Sequence, residues 1–287
     1  MEIEIKGHSG CTIDIVNIDK VLYIEKGTTD LDYINRLYNQ AIKQKNAAQQ
    51  EYQFIRIPKI VNIDKTASKM VMRMEYIYSK NFINHFESSG FEQIVYFINA
   101  FSSFILNEIK SSKMSNVKAE IILAKFQEVK NNICKQKILD EDIEIQLLLQ
   151  SAKKVFVNLP ETLNIPVGIC HGDLTLSNIL FNGNNYYLID FLDSFIESPI
   201  IDMVKLRQDT AFQWSTLMYS GTFDKTRLNI ISTKIDEELE KLFQQYDWYT
   251  KYYDVFQLMN FLRILQYAQD EKIIAYLKKT LKQLLRL

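Results

Sequence analysis

Residues 170–194 read CHGDLTLSNILFNGNNYYLIDFLDS, and they interrupt a chain that is helical in character on either side. The run Asn182-Gly183-Asn184-Asn185 is a turn signal between two apolar runs, so the segment predicts a β-hairpin. A His, an Asn and several Asp stand among residues that otherwise read as buried. An acid in apolar surroundings is costly unless a charge meets it. Folding the hairpin about residue 184 pairs 178 with 190, so Asn178 and Asp190 are expected to face each other at its open end. Two oxygen ligands from different strands suit a hard divalent cation such as magnesium, which takes few protein ligands and completes its shell with water and phosphate oxygens. Asp173, on the loop entering the hairpin, is placed to meet a second reactant just beyond that ion. Each residue alone has a plain explanation, as a turn residue, a cap or a local hydrogen-bonder. The order His-x-Asp, Asn, hairpin, Asp is far more specific than any one of them.

The bulk properties set the frame. The 287 residues are 47% hydrophobic with a net charge of -1, enough for one large domain or two modest lobes. The charge balance lacks the basic excess of a nucleic-acid binder. No apolar leader follows a basic start. The apolar stretch at 94–109 is broken by Asn99, Ser102, Ser103, Asn107 and Glu108, too short and polar to span a bilayer. The three cysteines and three histidines are scattered, which argues against a disulfide framework or a zinc site. A cytoplasmic protein without nucleic-acid or membrane partners is expected; the sequence leaves its oligomeric state open.

Outward from the hairpin, the N-terminal quarter reads as strands. Ile3 and Ile5 alternate with polar residues, Gly7-His8-Ser9-Gly10 forms a turn, and Cys11, Ile13 and Ile15 alternate again. A third strand covers 21–26. A helix capped by Thr-Thr-Asp covers 30–50. An extended run starts at Ile57-Pro58, and a strand covers 70–76. Beyond it, residues 91–110 put Phe91, Ile94, Ile98, Phe101 and Ile105 on one helical face. Helices are expected at 117–136 and 140–157, and through most of the chain from 200 onward. A small β-rich lobe (1–76) thus precedes a larger helical lobe (77–287).

The pattern HGDLTLSNIL…LIDF resembles the catalytic loop and metal-binding strand of the aminoglycoside phosphotransferase and choline kinase family, small-molecule relatives of the protein kinases. The resemblance implies an α+β, two-lobed, protein-kinase-like fold and transfer of the γ-phosphate of ATP, with GTP not excluded, onto a hydroxyl of a small molecule. It implies that Asp173 orients the acceptor hydroxyl, that Asn178 and Asp190 hold Mg2+, and that His171 and Asp202 support the loop. Gly7, His8, Ser9 and Gly10 would lie over the nucleotide phosphates. Lys26 would bind phosphate, with Lys20 as the competing candidate. Glu75, Tyr76 and Ile77 would offer hinge backbone to the purine. The family's helix acid that pairs the lysine is missing; Gln40, Gln44 or Glu51 stand as substitutes. Asp193 and Trp214 are candidate acceptor contacts.

Where protein kinases have Arg, this chain has Gly172; where they have Gly after Asp-Phe, it has Leu192, and no Ala-Pro-Glu segment follows. These departures point to a metabolite kinase. The acceptor stays open among a sugar, an amino alcohol such as choline, and an aminoglycoside. Tyr246, Tyr249 and Tyr253 are spaced for a quaternary-ammonium cage and equally for helix packing, the plainer reading. Residues 236–241, DEELEK, are an amino-sugar site or a solvated face. The rival functions are a nucleotide-binding module without turnover, a protein kinase, and a metallophosphatase; the last needs more His and Asp ligands than the chain shows.

Overall fold

The structure, a computed structural model, describes residues 11–287. The expected first strand and the Gly7-His8-Ser9-Gly10 turn lie outside the described residues. The described chain opens with β1 (Thr12–Ile18) and β2 (Val21–Thr28). They pair antiparallel across Asp19 and Lys20, both at positive φ, the backbone of a two-residue I′ turn whose twist matches the strands. Lys20, the competing phosphate lysine, is thus a turn residue. Helix α1 (Leu31–Ala47) starts at Asp30, whose side chain accepts from the Asp32 amide; it is shorter than the expected 30–50. Then come β3 (Ile55–Arg56), β4 (Ile60–Lys65) and β5 (Met70–Glu75). The sheet order is β1-β2-β5-β4. Its inner face and α1 share a small core of Ile34, Leu37, Ala41, Met70, Met72 and Met74.

The rest is mainly helical: α2 (Phe82–Ser88), α3 (Phe91–Ser111), α4 (Ala119–Cys134), α5 (Lys137–Asp140) and α6 (Ile143–Val157), then α7 (Pro199–Thr210), α8 (Trp214–Leu217), α9 (Lys225–Phe243), α10 (Asp247–Leu265) and α11 (Glu271–Leu285). The strands β6 (Lys113–Lys118) and β7 (Thr162–Val167) pair antiparallel where helix or coil was expected. On α3, Ile94, Ile98, Phe101 and Ile105 are buried as expected, but Phe91 is 75% exposed. It occupies the first helical position, past the edge of the core. The fold is mixed α/β, with a β-sheet N-terminal region and a helical remainder.

The hairpin is β8 (Ile179–Asn182) and β9 (Asn185–Leu188), turned through Gly183 at positive φ, a position where glycine carries no Cβ cost. One face is buried and the other half-exposed. Phe181 and Tyr186 pack into an aromatic cluster with Phe86, Phe97 and Phe101, ring centroids 4.4–6.1 Å apart. β3 adds to β9 in parallel, and Tyr52, Phe54, Ile55 and Ile57 pack in this larger core. The segment after α1 is therefore tied to the helical part. Removing one such buried ring to Ala costs about 3–5 kcal/mol, so the hairpin is a stiff platform. No described helix is long and apolar enough to cross a membrane.

Candidate active site

The hairpin register is one residue off the expectation. Ile179 pairs Leu188 and Asn182 pairs Asn185, so the Ile189 amide, not that of residue 190, bonds the Asn178 carbonyl at 3.1 Å. A two-residue turn at 183–184 moves the symmetry point, and a slip of one residue reverses the face. Asp190 recovers by leaving strand geometry: its φ is +61°, a conformation costly for a residue with a Cβ. Its carboxylate then meets Lys26 Nζ at 3.0 Å.

Asn178 ends a single 3₁₀ turn, Leu176–Asn178. Its Nδ2 donates to the Asp173 carbonyl at 2.8 Å and to Asp173 Oδ2 at 2.9 Å. Among the described residues, the amide orientation leaves Asn178 Oδ1 without a protein partner, and Lys26 takes only Oδ1 of Asp190. One hard oxygen is left over on each residue, the donor set that magnesium uses when phosphates and water supply the rest. Among the described residues no cluster of three or more His, Cys, Asp or Glu is arranged for a metal.

His171 is fully buried. Its Nδ1 accepts the Asp173 amide at 3.2 Å, so Nε2 carries the proton toward the Ile189 carbonyl at 2.8 Å, and its ring lies on Phe191 at 4.2 Å. Burial lowers its pKa; it is a neutral strut between loop and hairpin. Gly172 stands at φ +88°, and a Cβ there would sit 2.0 Å from the Leu192 carbonyl oxygen. The position where protein kinases carry Arg therefore admits no side chain here.

Helix α7 holds this loop with one face. Ser198 caps it and Pro199 opens it, leaving Asp202, Lys205 and Asp209 at spacings of three and four, which share a side. Asp202 accepts the amides of His171 and Gly172, the latter at 2.8 Å. Lys205 Nζ lies 3.0 Å from Asp173 Oδ1. Asp209 accepts the amides of Leu176 at 2.6 Å and Ser215 at 2.8 Å; burial raises its pKa to about 6. Burial pushes the Asp173 carboxyl up, but the charge and hydrogen bond of Lys205 outweigh it and hold it below the usual range. The sequence reading singled out Asp202 alone. The Asp-x-x-Lys-x-x-x-Asp spacing on a helix just after the hairpin was the signal for the other two.

Lys26 is buried. Burial opposes its charge, but Asp190 more than compensates and its pKa rises. The partner of Lys26 is Asp190, not a residue of α1. Gln40 donates to the Tyr33 hydroxyl and Gln44 to the Pro58 carbonyl, while Glu51 lies past the end of the helix. Instead α1 sends a cation across: Lys43 Nζ reaches the Leu192 carbonyl at 2.6 Å and Glu197 at 2.7 Å. Glu75 turns its side chain back to the Lys59 amide at 3.0 Å. The backbones of Tyr76 and Ile77 make no loop hydrogen bond among the described residues.

Of the acceptor candidates, Asp193 is exposed and Trp214 packs on Tyr276 at 5.9 Å. The tyrosine cage is already filled from within: Arg207 lies 4.7 Å from the Tyr253 ring and bonds the Tyr249 hydroxyl at 2.8 Å. Arg207 also takes Asp236 and Glu240, while Lys234 and Lys241 take Glu238, so the DEELEK run is largely neutralised by the chain itself. A cavity of about 410 Å³ lies by the far end of the hairpin, lined by Tyr78, Lys80, His85 and Phe181 among others, and by none of the residues 173, 178 or 190.

Residues 121–232 match the model of the APH phosphotransferase enzyme family, a span that includes the catalytic loop and α7. No curated protein sequence matches the chain. Among solved structures, an aminoglycoside phosphotransferase APH(4)-Ia mutant in ternary complex with AMP-PNP and hygromycin B aligns at 9% identity and TM-score 0.63, over 99% of this chain and 92% of that one. A glucosamine kinase in complex with glucosamine, ADP and inorganic phosphate aligns at 9% identity and TM-score 0.62, over 96% and 80%. A GDP complex of an aminoglycoside 2'-phosphotransferase-IIIa mutant aligns at 13% identity and TM-score 0.57, over 98% and 92%. The fold is thus the kinase-like one expected from HGDLTLSNIL…LIDF. The family match, over less than half of the chain, supports a phosphotransferase as the enzyme class.

Proposed function

We propose that this chain transfers the γ-phosphate of a nucleoside triphosphate, ATP or GTP, to a hydroxyl of a small molecule. The supporting observation is the convergence at one hairpin of four side chains, three from the loop and hairpin themselves and one from the N-terminal sheet. Lys26, from the N-terminal sheet, pairs Asp190, and Asn178 pairs Asp173, each pair keeping an oxygen free for an ion among the described residues. The domain division at residues 76–77 belongs to the same proposal, with nucleotide between the two parts and the backbone of residues 75–77 along the purine.

In this reading Asn178 and Asp190 hold Mg2+, which when bound offsets negative charge on the phosphate oxygens. Lys26 supplies a cation to the nucleotide phosphates. Asp173 accepts a hydrogen bond from the acceptor hydroxyl and aims its oxygen at phosphorus. A carboxyl held below its usual pKa is a poor base, so its work is aiming, and the proton leaves late. That suffices for a loose transition state, where catalysis is chiefly positioning and electrostatics. Asp202, Lys205, Asp209 and His171 keep the loop rigid.

The alternative of nucleotide binding without turnover rested on the missing helix acid. Lys26 finds its counter-charge on Asp190 instead, which removes most of that warrant. The test is ADP release from ATP and Mg2+ over a panel of hydroxyl compounds, with Asp190→Ala alongside. Acceptor-dependent release that needs Mg2+, and a nucleotide dissociation constant weakened at least tenfold in Asp190→Ala, is the expected result. Tight nucleotide binding with no release across a broad panel would favour the binding module.

A further inference from the structure

The cavity of about 410 Å³ at the far end of the hairpin has no part in the phosphotransferase reading. None of Lys26, Asp173, Asn178 and Asp190 lines it. Its walls are the linker at 78–80, one side of α2, the first turn of α3 and the hairpin turn at 182–184. The linker is fastened there, because Lys80 and Phe181 exchange both backbone hydrogen bonds, at 2.8 and 3.2 Å. Phe181 stacks on His85 of α2 at 4.4 Å and on Phe97 of α3 at 6.1 Å. The cavity therefore lies on the side of the hairpin that packs on these helices. Its volume is that of a small-molecule pocket.

Two features say what it would hold. The first is His85, which lines the cavity and is 8% exposed. Among the described residues its Nε2 has no hydrogen-bond partner. Burial, and then the charge of Lys80, lower its pKa to about 4. The ring is thus neutral and brings one donor and one acceptor nitrogen. A buried polar nitrogen without a partner costs stability, and phenylalanine would keep the stack on Phe181 without that cost. The second feature is charge. Lys80 is the one charged residue in the lining, which holds no Asp or Glu. Gln93 Oε1 accepts the Gly90 amide at 2.8 Å, leaving Nε2 to donate. Ser88 and Ser89 donate their hydroxyl protons to the His85 carbonyl at 3.1 and 2.7 Å. A cationic ligand meets no carboxylate here. An anionic oxygen meets an ammonium and amide donors, and hydrogen bonds assisted by charge are the strong ones.

We propose that this cavity is a second ligand site, taking a small organic anion whose carboxylate or phosphate oxygens bind Lys80 and whose body lies against His85. The ligand bridges the linker and the hairpin turn, away from the reacting groups.

The experiment uses the full chain with Mg2+ and a saturating non-hydrolysable ATP analogue, so that the catalytic cleft does not compete. Four matched probes are titrated by calorimetry: benzoate, phenyl phosphate, benzyl alcohol and benzylamine. Benzoate or phenyl phosphate should bind at least tenfold more tightly than the alcohol and the amine, and should slow hydrogen exchange in residues 78–93 and 179–184. Lys80→Gln should remove that preference. His85→Phe should weaken the acidic probe at least tenfold while the melting temperature stays level or rises. Both variants should keep the dissociation constant for Mg-ATP within twofold. Equal binding of all four probes, binding of none, or an acidic probe held as tightly by Lys80→Gln overturns the proposal. So does a His85→Phe protein that melts lower and binds the probe unchanged, which would make His85 a packing residue only. Each of these results leaves the phosphotransferase reading standing.

Discussion

Lys205 decides how Asp173 behaves. The carboxyl sits in a buried loop where desolvation alone would raise its pKa, and one ammonium at 3.0 Å reverses the sign. A carboxyl lowered in the folded state adds stability above its unfolded pKa and loses it as pH falls through the folded one. Wild-type activity should therefore hold its level down to the point where the protein itself unfolds in acid. Lys205→Met removes the largest opposition to desolvation and leaves the Asn178 hydrogen bond and His171, so the acid limb of the kcat/KM profile should move up in pH. An unmoved limb would mean that another group supplies the charge. Gly172 makes a second test at this scale. An alanine there meets the Leu192 carbonyl at a distance no Cβ tolerates, in a backbone conformation that also disfavours it. Gly172→Ala should cost about 2–4 kcal/mol in chemical denaturation, whereas Gly183→Ala, whose Cβ meets nothing within 4 Å, should cost less, its strain being conformational alone.

Among the elements, α7 and α1 divide the work of holding the site. Helix α7 offers Asp202, Lys205 and Asp209 along one face to the catalytic loop. Helix α1 reverses the polarity expected of it and sends Lys43 to Leu192 and Glu197. Burial opposes the Lys43 charge, yet its partners raise its pKa, so the tie persists through the physiological range and is lost only in strong alkali. Lys43→Met should lower stability by about 1.5–3 kcal/mol, the range for hydrogen bonds to a charged group. It should also raise the KM for ATP with less effect on kcat, because it loosens α1 and not Asp173. Equal loss of kcat and kcat/KM would place Lys43 in the transition state instead.

Elements also show what was legible in the chain. The hairpin and its turn follow from Asn-Gly-Asn-Asn between apolar runs, and the motif order around it carried Asp173, Asn178, Asp190, His171 and Asp202. The exact register did not, because the turn length that moves residue 189 opposite 178 is set by backbone dihedrals. The strands β6 and β7 were unreadable: each is half-exposed and stabilised by pairing across 48 residues (Asn116 with Asn164), a contact that local pattern does not encode. The partner of Lys26 was sought one helix away because the counter-charge of the family was expected there. The actual partner lies 164 residues on.

At the scale of the whole molecule, the two cores differ in size. The small one joins α1 to the sheet through six buried residues, and the large one takes nearly everything else, including residues 52–57. Leu37 is fully buried in the small core, so Leu37→Ala should cost about 2–5 kcal/mol and weaken nucleotide binding, with little change in the acceptor end. Saturating Mg-ATP at about a hundred times its dissociation constant should stabilise the protein by about 2.7 kcal/mol, read as a rise in melting temperature that vanishes with chelator.

The central claim is that Asp173 aims an acceptor hydroxyl at a nucleotide phosphate without holding the nucleotide. Asp173→Asn keeps the size of the side chain and removes its charge. Its kcat, measured beside the dissociation constant for Mg-ATP, tests that claim most directly. The account predicts a fall of about 10²–10⁴ in kcat, with the dissociation constant within threefold of wild type. Turnover near the wild-type level with the carboxylate gone would contradict it.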